Sequence, residues 1–105
     1  MDAWVGDRAV LTNRHRLRAI MRTAARAGGM TVLGEKFCVF DNAAVTGVLV
    51  LAQSHLSIHT WPEVALANVD LLAYGDGSGD ATLRLIGSEL GAEHVNVACM
   101  SRGRR

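Results

Sequence analysis

Proline is nearly absent from this 105-residue chain: Pro62 is the only one. Aromatic side chains make up 5% of the residues and apolar ones 50%. A single core is therefore expected to be built from Val, Leu, Ile and Ala, within one domain over 1–105. There are two cysteines, Cys38 and Cys99, with neither a CxxC nor any metal-ligand spacing. That excludes a thiolate zinc site, and both are expected to be buried, reduced thiols. No apolar run approaches the roughly 18–20 residues that span a bilayer. The start "MDAWVGD" carries an acid at position 2 and no apolar signal region. The expectation is a soluble, cytoplasmic chain without membrane contact. A net charge of +1 gives no global case for nucleic acid. The positive charge gathers in "RHRLRAIMRTAAR" and "SRGRR", without interleaved aromatics on which bases could stack. It is read as solvated surface, with a phosphate or carboxylate partner as the lesser alternative.

Asn13 can cap a helix whose apolar positions Leu17, Ile20, Met21, Ala24 and Ala25 recur at three and four; Gly28-Gly29 end it. "MTVLGEKFCVF" is rich in β-branched and aromatic residues and predicts a strand, bulged at Gly34. "DNAA" is a turn. "VTGVLVLA" predicts a central strand, apolar on both faces. "HLSIHTW" alternates, with Leu56 and Ile58 on one face and His55, Ser57, His59 and Trp61 on the other, and Pro62 ends the pairing. "ANVDLLAY" is a further strand and "GDGSGD" a loop offering a cap at Ser78 or Asp80. Leu83, Ile86 and Leu90 line a second helix ending before Gly91, and "HVNVACM" closes as a strand. A short first strand, "AWV", completes the order β-α-β-β-β-β-α-β. The fold class is α+β: a two-layer α/β sandwich, a mainly antiparallel sheet of about five or six strands with two helices on one face.

The chemistry concentrates in "LAQSHLSIHTWPE", residues 51–63. On residue types alone, the polar face of this strand reads as solvent-exposed. His55 and His59 with Glu63 or His94 could ligate zinc. A Ser–His–Asp hydrolase, with Asp70 orienting a histidine, is a further alternative, although no G-x-S-x-G elbow is present.

The block "SHLSIHTWPE" followed by "VDLLAYG" resembles the prokaryotic S-adenosylmethionine decarboxylases. Their signature runs glutamate, Ser-His-Leu-Ser/Thr-Ile-His-Thr-Trp-Pro-Glu, then Val-Asp-hydrophobic-Phe-Thr-Cys-Gly. Weaker likeness covers the "VTGVLVL" strand, the helix before Gly28-Gly29 and "RGR" at 102–104. Relative to that pattern the chain starts late in its first strand.

The resemblance implies a pyruvoyl enzyme of spermidine biosynthesis that needs no metal. Ser54 would attack the carbonyl of Gln53, cutting the chain into 1–53 and 54–105 and leaving a pyruvoyl group that takes the substrate amine as a Schiff base. Decarboxylation needs such an electron sink. His59 is implied in processing, taking the proton that drives ester elimination, with the Thr46 hydroxyl beside it. Both are expected to reach the Gln53–Ser54 bond. Phe40 and Trp61 match aromatic positions near the substrate, and Glu63 matches an acid that holds ribose hydroxyls. His55 is expected to shape the pyruvoyl pocket, Asp70 to orient a histidine, and Ser57 to serve strand pairing. Two positions depart from the signature: its glutamate is Gln53, and its proton-donating cysteine is Tyr74. A phenol can donate a proton but is bulkier than a thiol and a weaker acid. Family members form dimers with sites near the interface, so a homodimer or higher homo-oligomer is expected. Two alternatives stand beside this reading. One is a pyruvoyl decarboxylase of another amino acid, such as ornithine, arginine or a pathway-specific amine precursor. The other is a non-processing paralogue acting as a binding or partner subunit.

Overall fold

The computed structural model describes residues 1–74, 78–103 and 105, with only the backbone of Ser78. Part of the predicted loop, residues 75–77, and position 104 of the closing "RGR" lie outside the described residues.

The strands are β1 (Asp2–Val5), β2 (Val32–Val39), β3 (Val45–Leu51), β4 (Ser54–Trp61), β5 (Leu66–Leu72) and β6 (Ala92–Asn96). The helices are α1 (Arg14–Ala27) and α2 (Ser78–Glu89). The strands form one sheet in the order β2-β3-β4-β5-β1-β6, with every neighbouring pair antiparallel. Thus β2 to β5 form a meander, and β1 inserts between β5 and β6.

The start of α1 is set by Asn13, whose side chain accepts the Arg16 backbone N–H at 3.0 Å. That satisfies one of the N–H groups left unpaired by the first helical turn. At the other end, Gly29 takes φ +78°, and the Met30 N–H bonds the Ala25 carbonyl. Glycine pays no β-carbon penalty in this left-handed exit. The apolar stripe Leu17, Ile20, Met21, Ala24 and Ala25 is buried. It packs over Val45, Leu49, Leu56, Ile58, Ala67 and Val69 of the sheet, while Ile86 and Leu90 bring α2 into the same core. Gly47 is required there, because a β-carbon would collide with the Phe37 ring on β2. Two buried polar side chains are satisfied locally. Thr60 donates to the Leu11 carbonyl and accepts from the Val45 N–H, each at 2.8 Å, and Thr82 donates to the Ala24 carbonyl at 2.9 Å.

One face of the sheet is covered by the helices and the other is open. The open face alters the expectations for β3 and Cys38, and local features alter those for Cys99, β6 and Asp80. β3 is an inner strand, but only its helix-facing residues are buried; Val50, on the open face, is 50% exposed. Cys38 and Cys99 are free but exposed, not buried: Cys38 sits on the open face of an edge strand and Cys99 beyond the end of β6. β6 covers 92–96 rather than running on through "VACM", because its pairing to β1 ends at Asn96 opposite Asp2. Asp80 lies inside the first turn of α2 rather than at its cap. The bulge expected near Gly34 is present as a register shift between Val32 and Gly34.

Candidate active site

The β3–β4 hairpin carries two separate groups of residues. Ala52 and Gln53 form its tight turn, with Leu51 paired to Ser54. Gln53 has φ +59°, a left-handed conformation that costs a side chain with a β-carbon about 1–2 kcal/mol. The bond expected to be cut therefore follows a strained residue. Strand alternation puts Ser54 on the helix side, in line with buried Leu56 and Ile58. Its Oγ is buried and finds no hydrogen-bond partner among the described residues. An unpaired buried hydroxyl costs about 1–3 kcal/mol. Ser54 lines a cleft of about 200 Å³ between the α1 exit at Gly28–Thr31, the hairpin at Leu51–Ala52, and Ala73–Tyr74. Ser54 and Tyr74 are thus brought together. The glycine and Met30 wall had no sequence signal beyond the Gly-Gly dipeptide, and the turn strain had none, since Asn or Gly is the usual residue there.

The second group lies on the open face at the other end of the hairpin. Thr46 stands directly opposite His59, and its Oγ1 lies 2.7 Å from His59 Nδ1. The imidazole is flanked by Phe40, with ring centres 6.1 Å apart, and by the edge-on Trp61 at 4.4 Å. The Trp61 indole N–H donates to Asn68 Oδ1 at 2.6 Å. Phe40, Thr46, His59 and Trp61 are thus assembled. Glu63 is exposed in the short turn after Trp61, where Arg8 donates to its backbone carbonyl. His55 is exposed on the open face in a row with Val50 and Leu72. Asp70 stands opposite Ser57 rather than opposite a histidine. Among the described residues no group of three or more His, Cys, Asp or Glu side chains could hold a metal ion.

The structure does not bring the two groups together within one chain. Five residue steps separate Ser54 from His59, roughly 17 Å of extended strand. An odd number of steps also puts the two side chains on opposite faces of the sheet. The expectation that Thr46 and His59 reach the Gln53–Ser54 bond fails inside a single chain.

The S-adenosylmethionine decarboxylase family model matches residues 1–103. The chain belongs to that family. Among relatives, the S-adenosylmethionine decarboxylase proenzyme of Prochlorococcus marinus is 42% identical over 97 residues, covering 91% of this chain and 78% of that protein. The proenzyme of Thermococcus kodakarensis is 35% identical over 98 residues, covering 92% and 68%. That of Pseudomonas paraeruginosa is 38% identical over 84 residues, covering 79% of this chain and 52% of the relative. The chain therefore spans about half the length of its Pseudomonas relatives. The crystal structure of the adenosylmethionine decarboxylase from Aquifex aeolicus superposes with a TM-score of 0.81 at 23% identity, covering 99% of this chain and 91% of that one. At that identity the likeness establishes the fold: an antiparallel sheet with helices on one face. No helix among the described residues is long and apolar enough to cross a membrane.

Proposed function

We propose that this chain is a self-processing, pyruvoyl-dependent S-adenosylmethionine decarboxylase, acting in the cytoplasm as a step toward spermidine. The observation that carries the reading is the buried Ser54 Oγ, without a hydrogen-bond partner among the described residues, beside the left-handed Gln53 in a cleft shared with Tyr74.

Ser54 Oγ attacks the Gln53 carbonyl carbon, the C–N bond breaks, and the acyl group passes from nitrogen to oxygen. Loss of the Ser54 α-proton then expels the Gln53 carboxylate, leaving 1–53 with a new C-terminus. Hydrolysis of the dehydroalanine that remains releases ammonia and leaves a pyruvoyl group at the head of 54–105. The hydroxyl is tied up by no hydrogen bond among the described residues, and the φ +59° strain at Gln53 is released when the bond opens. The residues fit the group: a free buried oxygen stands where the ketone would be made, and the cleft beside it is open to a small molecule. The pyruvoyl carbonyl supplies the electron sink for decarboxylation. Tyr74 lines the same cleft, which supports its phenol as the group that returns a proton to the product carbon. Phe40 and Trp61 offer ring faces to an adenine, and Glu63 offers two acceptor oxygens to a ribose diol.

The site is completed by a second copy of the chain. A cleft of about 200 Å³ lies below the roughly 300–1,000 Å³ of sites that enclose such ligands. Phe40, Val50, Trp61 and Leu72 leave apolar surface exposed on the open face. With the two-fold axis lying in the plane of that face and across the strands, one hairpin is reversed against the other. The Thr46–His59 end of one copy then lies over the turn end of its partner, where His59 approaches the Gln53–Ser54 bond from the face opposite the Ser54 side chain and serves as the base that removes the Ser54 α-proton.

Mass spectrometry of the purified protein tests the first step. Two fragments divided at 53/54 are expected, and Ser54→Ala should yield one intact chain. An intact parent chain would overturn the enzyme reading in favour of a non-processing partner subunit. Carbon dioxide release from S-adenosylmethionine, assayed beside ornithine and arginine, then decides the substrate. Release from either amino acid alone would mean that Tyr74 restricts the cleft to a smaller substrate.

A further inference from the structure

Asn68 and Asp2 belong to neither group of the signature, yet they close a chain of hydrogen bonds onto it. Asn68 Nδ2 donates to Asp2 Oδ1 at 2.7 Å, and Asn68 Oδ1 accepts the Trp61 indole N–H at 2.6 Å. Strand register explains how they meet. Asn68 is paired with His59 on one side and with Asp2 on the other. A single polar row thus crosses the open face from Thr46 through His59 and Asn68 to Asp2, and Trp61 reaches Asn68 diagonally across β4 and β5.

The chemistry of the end members fixes the direction of every bond. An ionised aspartate can only accept, and an indole can only donate. Only one orientation of the Asn68 amide satisfies both: its NH2 toward Asp2 and its carbonyl toward Trp61. The opposite orientation would face two donors at one end and two acceptors at the other. The Asp2 charge thereby determines which atom of Asn68 meets the indole, and that atom sets the plane of Trp61. Trp61 in turn presses its ring against the His59 imidazole, whose Nδ1 is held by Thr46.

We infer that Asn68 and Asp2 are positioning residues, which lock the Trp61 ring in the orientation that receives the substrate and buttresses His59. The consequence for substrate rests on the decarboxylase reading above; the lock itself does not. Trp61 is 42% exposed, so without the lock its ring would be free to turn in solvent.

Two variants of the full chain test this. Asn68→Leu keeps the approximate volume and removes both bonds. Asp2→Asn keeps the shape and frees the Asn68 amide to flip. The chain holds two tryptophans, so a proton–nitrogen correlation spectrum shows two indole N–H signals, with that of Trp61 identified by Trp61→Phe. In Asn68→Leu the Trp61 signal is expected to move upfield while that of Trp4 stays, and in Asp2→Asn it should move the same way by less. With S-adenosylmethionine, KM is expected to rise about tenfold in Asn68→Leu and about threefold in Asp2→Asn, with kcat changing less than about twofold, the signature of lost binding rather than lost chemistry. An unmoved Trp61 signal in both variants overturns the lock, and a moved signal with unchanged KM overturns its role toward substrate. A parent chain that turns over no S-adenosylmethionine sinks the decarboxylase reading instead, and the indole signals then decide the lock on their own.

Discussion

The two ends of the β3–β4 hairpin are built on opposite principles. At the turn, Gln53 is strained and the Ser54 hydroxyl is buried without a partner. At the far end, Thr46, His59, Trp61, Asn68 and Asp2 are tied to one another. Left-handed residues occur at both ends, Ala43 and Ala65 standing at the far one, so what separates the ends is the free hydroxyl at the turn and the tied side chains opposite it. On the proposed reading the Gln53–Ser54 bond breaks once, and the strain at Gln53 favours that opening. Rings that must meet a ligand repeatedly are better held still, since ordering them on binding would cost affinity. The proposed reading requires both ends, and the sheet keeps them apart on different faces.

The largest effect expected follows from that separation. Ser54→Ala and His59→Ala, each expressed alone, should remain uncut. Loss of a general acid–base group slows such a step by about 10²–10⁴-fold. Expressed together, the two should form mixed pairs in which the intact Ser54 of one chain meets the intact Thr46–His59 end of the other. Cleavage of the His59→Ala chain should then return, detected as fragments by mass spectrometry. If mixing restores nothing, the two ends do not act across copies and the comparison loses its functional meaning.

A smaller effect isolates the strain. Gln53→Gly removes the β-carbon from the left-handed position. In a Ser54→Ala background, which keeps the chain whole, it should raise stability by about 0.5–1 kcal/mol in urea denaturation, strain relief being partly offset by added unfolded-state entropy. With Ser54 present, the same change should slow cleavage about three- to fivefold, because the released strain no longer assists bond opening. Unchanged stability would mean that the turn carries no strain.

How far the sequence alone discloses this division depends on the range of the interaction concerned. Asn13, Gly28 and Gly29 act within a few residues, and the limits of α1 were legible from them. The alternation of residues 54–61 was equally legible, and it already placed Ser54 with Leu56 and Ile58 rather than with His59. The expectation that His59 reaches Ser54 overlooked that parity. The insertion of β1 between β5 and β6 was not legible, because pairing over more than sixty residues leaves no local pattern. The Asp2–Asn68–Trp61 bonds depend on that insertion and were hidden with it. The exposure of Cys38 has a different cause: a thiol is ordinarily buried, but the open face of an edge strand is not covered by this chain's own helices.

The smallest effect supplies a control away from both ends. Glu35 on β2 accepts hydrogen bonds from Arg18 and Arg22 of α1, tying helix to sheet. The Arg18 hydrogen bond chiefly, and that of Arg22 after it, hold its carboxyl below the usual glutamate value of 4.5, against an opposing desolvation. A lowered folded-state pKa means that the ionised form is favoured in the native chain. The stabilisation is therefore fully present above the unfolded pKa and is lost as pH falls through the folded one. Glu35→Gln should lower Tm slightly at neutral pH, and the gap from the parent should close below pH 4.5 and narrow with added salt, since these groups are near solvent. Neither the cleavage pattern nor the Trp61 indole signal should change in Glu35→Gln. If either moves, α1 transmits force to the hairpin, and the two ends are coupled through the helix layer as well as across the sheet.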